Sequence, residues 1–337
     1  MATFKEIRGF KIKSLATDPS PLAEGQIWYN STSGTLKVAP LVASWASGTS
    51  ITTARAAMGA GGVPTAAWIA GGKTNNTPTN VTTNVTEEYN GSSWTAGGTM
   101  PQGGRSYGGG SGSLTTGIVV GGGPTTPLVG QDWVESYNGA SWSTETATPA
   151  GLKANTVFGT EAAAVTAGQE PSTVNAVFNY DGGTWTTGGT MNTVRGYTTS
   201  AGTQTAGWIA GGWHAPGSPT YDSNAHEQYN GASWTVSPAL TTARSAGGAN
   251  GPQTSAIYFG GIVYPTSTTA TETFDGSSWT TSPATLGTAV DEMGDVNNGT
   301  SNSTAMSVGG LANNAPPVKN ITQEYENVAA AQTVTTS

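Results

Sequence analysis

Two histidines, no cysteine and a few scattered carboxylates limit what this 337-residue chain could catalyse. His214 and His226 stand on either side of a loop rich in Pro and Gly, a spacing that suits neither a metal site nor a nucleophile motif, so each reads as a satisfied or exposed loop residue. The absence of Cys removes thiolate nucleophiles and disulfides together. Glycoside hydrolysis needs two carboxylates converging on one bond. Asp132, Asp222 and Asp291 are the candidates, but sequence alone does not bring them to one point. The expectation is therefore a chain that is not an enzyme and carries no metal and no cofactor.

A second set of charges recurs with a period. Arg55, Arg105, Arg195 and Arg244 each stand sixteen residues before a glycine pair, and Glu87, Glu135, Glu227 and Glu272 each stand two residues before a Tyr or Phe. Two further copies show Lys153 with Phe178, and Met293 with Gln323, so both charges are kept or lost together. An unpaired buried charge costs several kcal/mol, whereas a bidentate Arg–carboxylate pair is tolerated, so coupled retention points to structural ion pairs. The functional alternative is a ring of Arg at a channel mouth that captures anionic glycans.

These charges ride on a larger repeat. Tyr89-Asn-Gly-Ser-Ser-Trp94, Tyr137-Asn-Gly-Ala-Ser-Trp142, Tyr180-Asp-Gly-Gly-Thr-Trp185, Tyr229-Asn-Gly-Ala-Ser-Trp234 and Phe274-Asp-Gly-Ser-Ser-Trp279 each read as a tight hairpin, with the positive φ of a primed turn placed on Asn-Gly or Asp-Gly. Successive Trp residues are 48, 43, 49 and 45 positions apart, a period that belongs to propeller blades. Before each hairpin runs a small apolar strand ending in paired glycines, as in Trp68-Ile-Ala-Gly71-Gly72 and Trp208-Ile-Ala-Gly211-Gly212, with a degenerate copy at Gly168-Gln169. Apolar strand, Gly-Gly, variable loop, Glu-x-Tyr, turn and Trp in that order resemble the kelch repeat. The resemblance implies an all-β fold, a six-bladed kelch-like β-propeller over residues 41–327, with four antiparallel strands per blade. Kelch-type oxidases use a cysteine–tyrosine cofactor, which this chain cannot form. The sixth outer strand is expected around Trp45, ten residues before Arg55, so that the N-terminal part of the domain closes the ring; residues 326–334 are the competing choice.

Residues 1–40 differ in character and hold Lys5, Arg8, Lys11 and Lys13 among 12 basic residues. The stretch Gly25-Gln-Ile-Trp28-Tyr29-Asn30 followed by Gly34-Thr-Leu-Lys37 alternates as a hairpin. It resembles a segment of tail-fibre and structural proteins of tailed bacteriophages, particularly marine ones. That resemblance implies a virion protein docked to other virion proteins through residues 1–40, with Trp28 and Tyr29 as docking residues and residues 328–337 as a C-terminal tail.

Composition agrees with a β-rich chain: 9% charged residues, 49 Gly, 18 Pro, and no run of apolar residues long enough for a membrane span. A net charge of −8 argues against wrapping nucleic acid, and the first residues lack an apolar signal core, so general secretion is not expected. Variation concentrates in the loops between second and third strands, 73–84, 123–133, 169–175, 213–225, 262–270 and 311–321, which carry Trp133, Trp213, His214, Tyr221 and Tyr264. Aromatics among Asn, Thr, Ser and Gly suit carbohydrate stacking or a protein partner; the same rings could equally cover neighbouring blades. The expected role is host-surface attachment, to glycan or protein, by an oligomeric component of the virion, in the tail rather than the capsid. A capsid-decorating or architectural protein and a glycan depolymerase are the alternatives.

Overall fold

The computed structural model describes residues 12–74, 81–124, 129–170, 176–214, 222–313 and 315–335. Every regular element among them is a β-strand, and the chain divides into two compact units, Met1–Ser44 with Glu326–Ser337, and Trp45–Tyr325. The second unit is of β-propeller type.

Among the described residues its strands form six four-stranded sheets, the first five antiparallel throughout. The first is built from Gly59–Val63, Ala66–Ala70, Thr86–Tyr89 and Trp94–Ala96 in sequence order, and the next four repeat that order. The sixth consists of Gly294–Asp295, Thr304–Val308 and Thr322–Ala329, with Leu41–Gly48 as its outer strand, while Gln332–Thr333 belong to another sheet. Trp45 donates from its indole N–H to Thr271 Oγ1 at 2.9 Å. This repeats what Trp94 does to Thr322 and Trp142 to Thr86.

The first strands of the sheets lie side by side around a central cavity. Their glycines are a matter of clearance: a Cβ at Gly110 would meet Ala60 N at 2.4 Å, and one at Gly61 would meet Gly112 O at 2.6 Å. Apolar clusters sit between successive sheets, such as Met58, Ile69 and Trp94 of the first with Val296, Met306 and Val308 of the sixth. Each Tyr or Phe packs on the Trp of its own hairpin, with centroids 4.7 to 5.2 Å apart.

The hairpin turns are not of the primed type expected on Asn-Gly or Asp-Gly. Tyr89 pairs with Trp94, so the loop has four residues, and Asn90 Oδ1 accepts from Ser92 N and Ser93 N at 3.0 and 2.9 Å. Only the glycine takes positive φ, 90° at Gly91. The Asn or Asp is there to hold an Asx turn, not to supply a left-handed residue.

In the other unit, Lys13–Leu15, Ile27–Asn30, Thr35–Val38 and Gln332–Thr333 make one sheet. Within the segment expected as a C-terminal tail, Gln332–Thr333 thus pair with Thr35–Val38, which would otherwise be an open edge. Trp28 is 1% exposed; its indole N–H and Asn30 Nδ2 donate to Asp18 Oδ1 at 3.0 and 2.7 Å. Those bonds, Asn30's first, hold the Asp18 carboxyl below its usual range. Trp28 is thus a core residue of the hairpin instead of a surface contact, and Tyr29, 41% exposed, is the one that reaches solvent.

Candidate functional site

The recurring charges come together in the fold. Arg55 Nη2 meets Glu87 Oε1 at 2.8 Å, Arg195 Nη1 meets Glu227 Oε1 at 2.6 Å, Arg244 Nη2 meets Glu272 Oε1 at 2.9 Å, and Arg105 pairs with Glu135. All eight side chains are at most 3% exposed, so none lines a mouth where an anion could land. Burial lowers Arg55 to about 10 and Arg105 to about 9, leaving both charged at neutral pH. Burial alone would raise Glu227, but Arg195 and the N–H groups of Asn192 outweigh it and hold the carboxyl below its usual range. Each carboxylate also caps the segment entering its sheet, as Glu87 does by accepting from Thr52 N at 2.7 Å.

Where the charges are absent, the spacing misassigned one partner. Gly122 N donates to Leu152 O as Gly72 N does to Arg105 O, and Gly261 N donates to Val290 O. The counterparts of Arg are therefore Leu152 and Val290, displaced from Lys153 and Met293 by changes in loop length. Leu152 and Phe178 share one apolar cluster. Gln323 keeps the capping role in neutral form, accepting from Thr288 N at 2.9 Å and donating to Thr288 O at 3.2 Å.

Two residues after each of these positions the chain does something the repeat did not announce. Ala57, Tyr107, Ala154, Tyr197, Ala246 and Glu292 all take positive φ between 50° and 61°. Their peptide groups form one circuit: Tyr107 N donates to Ala57 O, Ala154 N to Tyr107 O, Tyr197 N to Ala154 O, Ala246 N to Tyr197 O, Glu292 N to Ala246 O, and Ala57 N to Glu292 O, at 2.7 to 3.0 Å. Small and large side chains alternate around it, so Tyr107, Tyr197 and Glu292 project over the central cavity.

These three build a mouth with residues from the loops. Tyr107 and Tyr197 meet edge to face at 5.8 Å, Trp213 lies 5.8 Å from Tyr197, and Tyr264 lies 6.3 Å from Trp213, giving a continuous run of rings. Lys73 Nζ sits 2.7 Å from Glu292 Oε2 and 2.5 Å from Tyr107 Oη, and Tyr107 Oη donates to Glu292 Oε1 at 3.0 Å. Burial first, then Glu292 for Tyr107 and Glu170 for Tyr197, push both phenols far up, so both stay protonated, and Tyr107 Oη accepts from Lys73 while donating to Glu292. Asp222 and Asp291 line the same cavity. Asp222 accepts from Ser245 Oγ at 2.8 Å and from Tyr264 N at 2.7 Å, and Asp291 accepts from Ser267 Oγ.

Below the mouth, the cavity ends against the long turn between Gly294–Asp295 and Thr304–Val308. Asn297 Nδ2 donates across the lumen to Gly110 O at 3.0 Å and Val157 O at 3.1 Å, and Asn298 N reaches Gly62 O at 3.3 Å. Asp295 faces this closed end, enclosed by protein yet partly accessible from the lumen, and burial pushes its carboxyl up to about 6 against bonds from Ala249 N and Thr199 Oγ1.

Of the loop residues singled out by sequence, Trp213 and Tyr264 enter the mouth. Half-buried His214 follows Trp213 in the chain. Trp133 is elsewhere, half-buried beneath the Arg105 guanidinium at 5.3 Å, where it covers the ion pair. Tyr221 lies outside the described residues. Asp132 is exposed and does not join Asp222 and Asp291. His226 is structural: its Nδ1 stands 3.2 Å from Trp279 Nε1, at the sheet position that Thr86, Thr271 and Thr322 hold elsewhere, and burial lowers its pKa to about 4. Tyr107, Tyr197, Glu292 and Lys73 were missed, although Arg-x-Tyr at 105–107 and 195–197 was a signal. Among the described residues no group of three or more His, Asp or Glu is placed to hold a metal ion, and no helix is long and apolar enough to cross a membrane.

No protein-family model and no curated protein sequence matches this chain. Among solved structures, one described as the structure of YjhT aligns with a TM-score of 0.62 and 13% identity, covering 84% of this chain and 95% of that one. At that identity the likeness concerns the fold alone. YjhT has a kelch-like propeller fold, and this chain shares its propeller-type arrangement of sheets.

Proposed function

We propose that this chain is a non-enzymatic bacteriophage virion protein of the tail apparatus, whose second unit is a closed six-bladed kelch-like propeller presenting its mouth to a host-surface glycan. Closure is supported by the six-bond peptide circuit and by the outer strand at Trp45. The virion assignment rests on the likeness of residues 21–38 to phage structural segments, and that unit docks to the particle through surface residues such as Tyr29. The observation that carries the binding role is the run Tyr107, Tyr197, Trp213 and Tyr264 converging on one cavity beside carboxylates, a chemistry that stacks on sugar faces and bonds to their hydroxyls.

Removing one stacking ring costs about 1–3 kcal/mol by analogy with truncations at interfaces and stacking platforms. Trp213→Ala with Tyr264→Ala should therefore lower adsorption of particles to host cells by about tenfold or more while assembly stays normal. Unchanged adsorption would move the role to particle architecture. Hydrolysis stands as a second reading because Asp222 and Asp291 share the cavity. Both carboxylates hold neighbouring loop donors, which fits a positioning role better, and release of reducing ends from host polysaccharide would decide for the enzyme.

A further inference from the structure

The charge of the mouth narrows the class of sugar, an inference that rests on the glycan-binding reading above. Three carboxylates line the cavity, from Asp222, Asp291 and Glu292, and none of the described residues lining it is Lys, Arg or His. Lys73 neutralises Glu292 from behind the lining. Among the described residues the donors to Asp222 are neutral, the Ser245 hydroxyl and the Tyr264 N–H, so its negative charge stays in the cavity. Aromatic faces beside an uncompensated carboxylate attract cations through the ring quadrupole as well as through charge. The same arrangement repels uronate and sialate carboxylates, whose burial beside Asp222 would leave two like charges together. Asn297, bonded to Gly110 O and Val157 O, narrows the far end of the lumen, which favours a chain end over a threaded polymer.

We propose that the mouth binds the terminal hexosamine of a glycan chain as its free ammonium form, with the nitrogen against Asp222 and the sugar face on Trp213 and Tyr264. The test is calorimetric titration of the full chain, at low salt, with a glucosamine tetramer, its N-acetylated counterpart, a galacturonate tetramer and tetralysine. The glucosamine tetramer should bind, about tenfold or more tighter than the N-acetylated form, and weaken by a similar factor in Asp222→Asn and in Tyr264→Ala. Tyr264 is 57% exposed, so its truncation leaves folding intact and keeps the test valid even if Asp222→Asn perturbs the loop. Equal or tighter binding of the N-acetylated or galacturonate tetramer would overturn the ammonium assignment while leaving sugar binding standing. Tetralysine binding as tightly, with the same loss in Asp222→Asn, would overturn it in favour of a protein ligand. No heat from any of the four overturns it too, and the adsorption experiment then judges the glycan reading separately.

Discussion

Leu152 and Phe178 show what Arg105 and Glu135 contribute, because the two pairs occupy the same place in neighbouring sheets of one molecule. A buried ion pair and an apolar pair are interchangeable there, whereas a half-pair is not, since a lone charge would be left without water or partner. Arg105→Ala or Glu135→Ala alone should cost about 3–5 kcal/mol in denaturant unfolding. The double change Arg105→Leu with Glu135→Phe should cost far less than the sum, and additive losses would show that the pair is not coupled. Two further residues oppose each other with pH. His226 is lowered to about 4 in the fold, so the unfolded chain binds the proton first and stability falls as pH drops from about 6.5 toward 4. Asp295 is raised to about 6, so the folded chain binds the proton first; its stabilisation is present below about 4 and is lost as pH rises through 6. Each shift corresponds to about 3 kcal/mol, and the wild type should show a nearly flat profile over this range. His226→Thr, the residue used at that position in three other sheets, should remove the acid loss, and Asp295→Asn should expose it. Melting temperatures of the three proteins at pH 4, 5 and 7 would check the signs.

At the level of the strand and turn, the repeat made the hairpins, the paired glycines and the ion pairs legible, because each depends on residues close in sequence or at a fixed offset. The mouth was only half legible. Trp213 and Tyr264 stood out as aromatics in variable loops, but Tyr107, Tyr197 and Glu292 owe their role to a left-handed backbone at non-glycine residues, which propensity argues against. Loop-length changes also moved Leu152 and Val290 off the arithmetic of the repeat, and the closed end of the lumen depends on contacts from Asn297 to two distant sheets. The left-handed positions cost strain that the peptide circuit holds in place. Ala154→Gly, at φ 52°, should therefore leave the melting temperature unchanged or raise it, the relief of about 1 kcal/mol offsetting the added freedom of the unfolded chain. Ala164→Gly, in the buried strand Ala163–Ala167, should lower it by the ordinary penalty of about 1 kcal/mol. Equal losses at both sites would mean that the circuit is not strained.

For the whole molecule, the decisive feature is that the last sheet borrows its outer strand from before the first. Thr322–Ala329 would otherwise be an open edge with unpaired N–H and C=O groups, and the gap would separate Trp45 from Phe259 and Tyr325, on which its ring now packs at 5.0 and 5.3 Å. Joining a late strand to an early one ties the two ends of the sheet array together, and because successive sheets pack through apolar clusters, loss of one would expose the apolar faces of its neighbours. Two truncations separate closure from docking. Removal of residues 1–36 deletes the hairpin around Trp28 but keeps Leu41–Gly48, so the remaining chain should stay monodisperse and melt in one transition, and should no longer be incorporated into particles. Removal of residues 1–50 takes the closing strand as well. That protein should aggregate, or melt well below the protein lacking only residues 1–36, and a peptide spanning 41–50 supplied in excess should restore part of the loss by mass action. Identical melting of the two truncations would mean that the Trp45 strand only decorates a ring already complete without it.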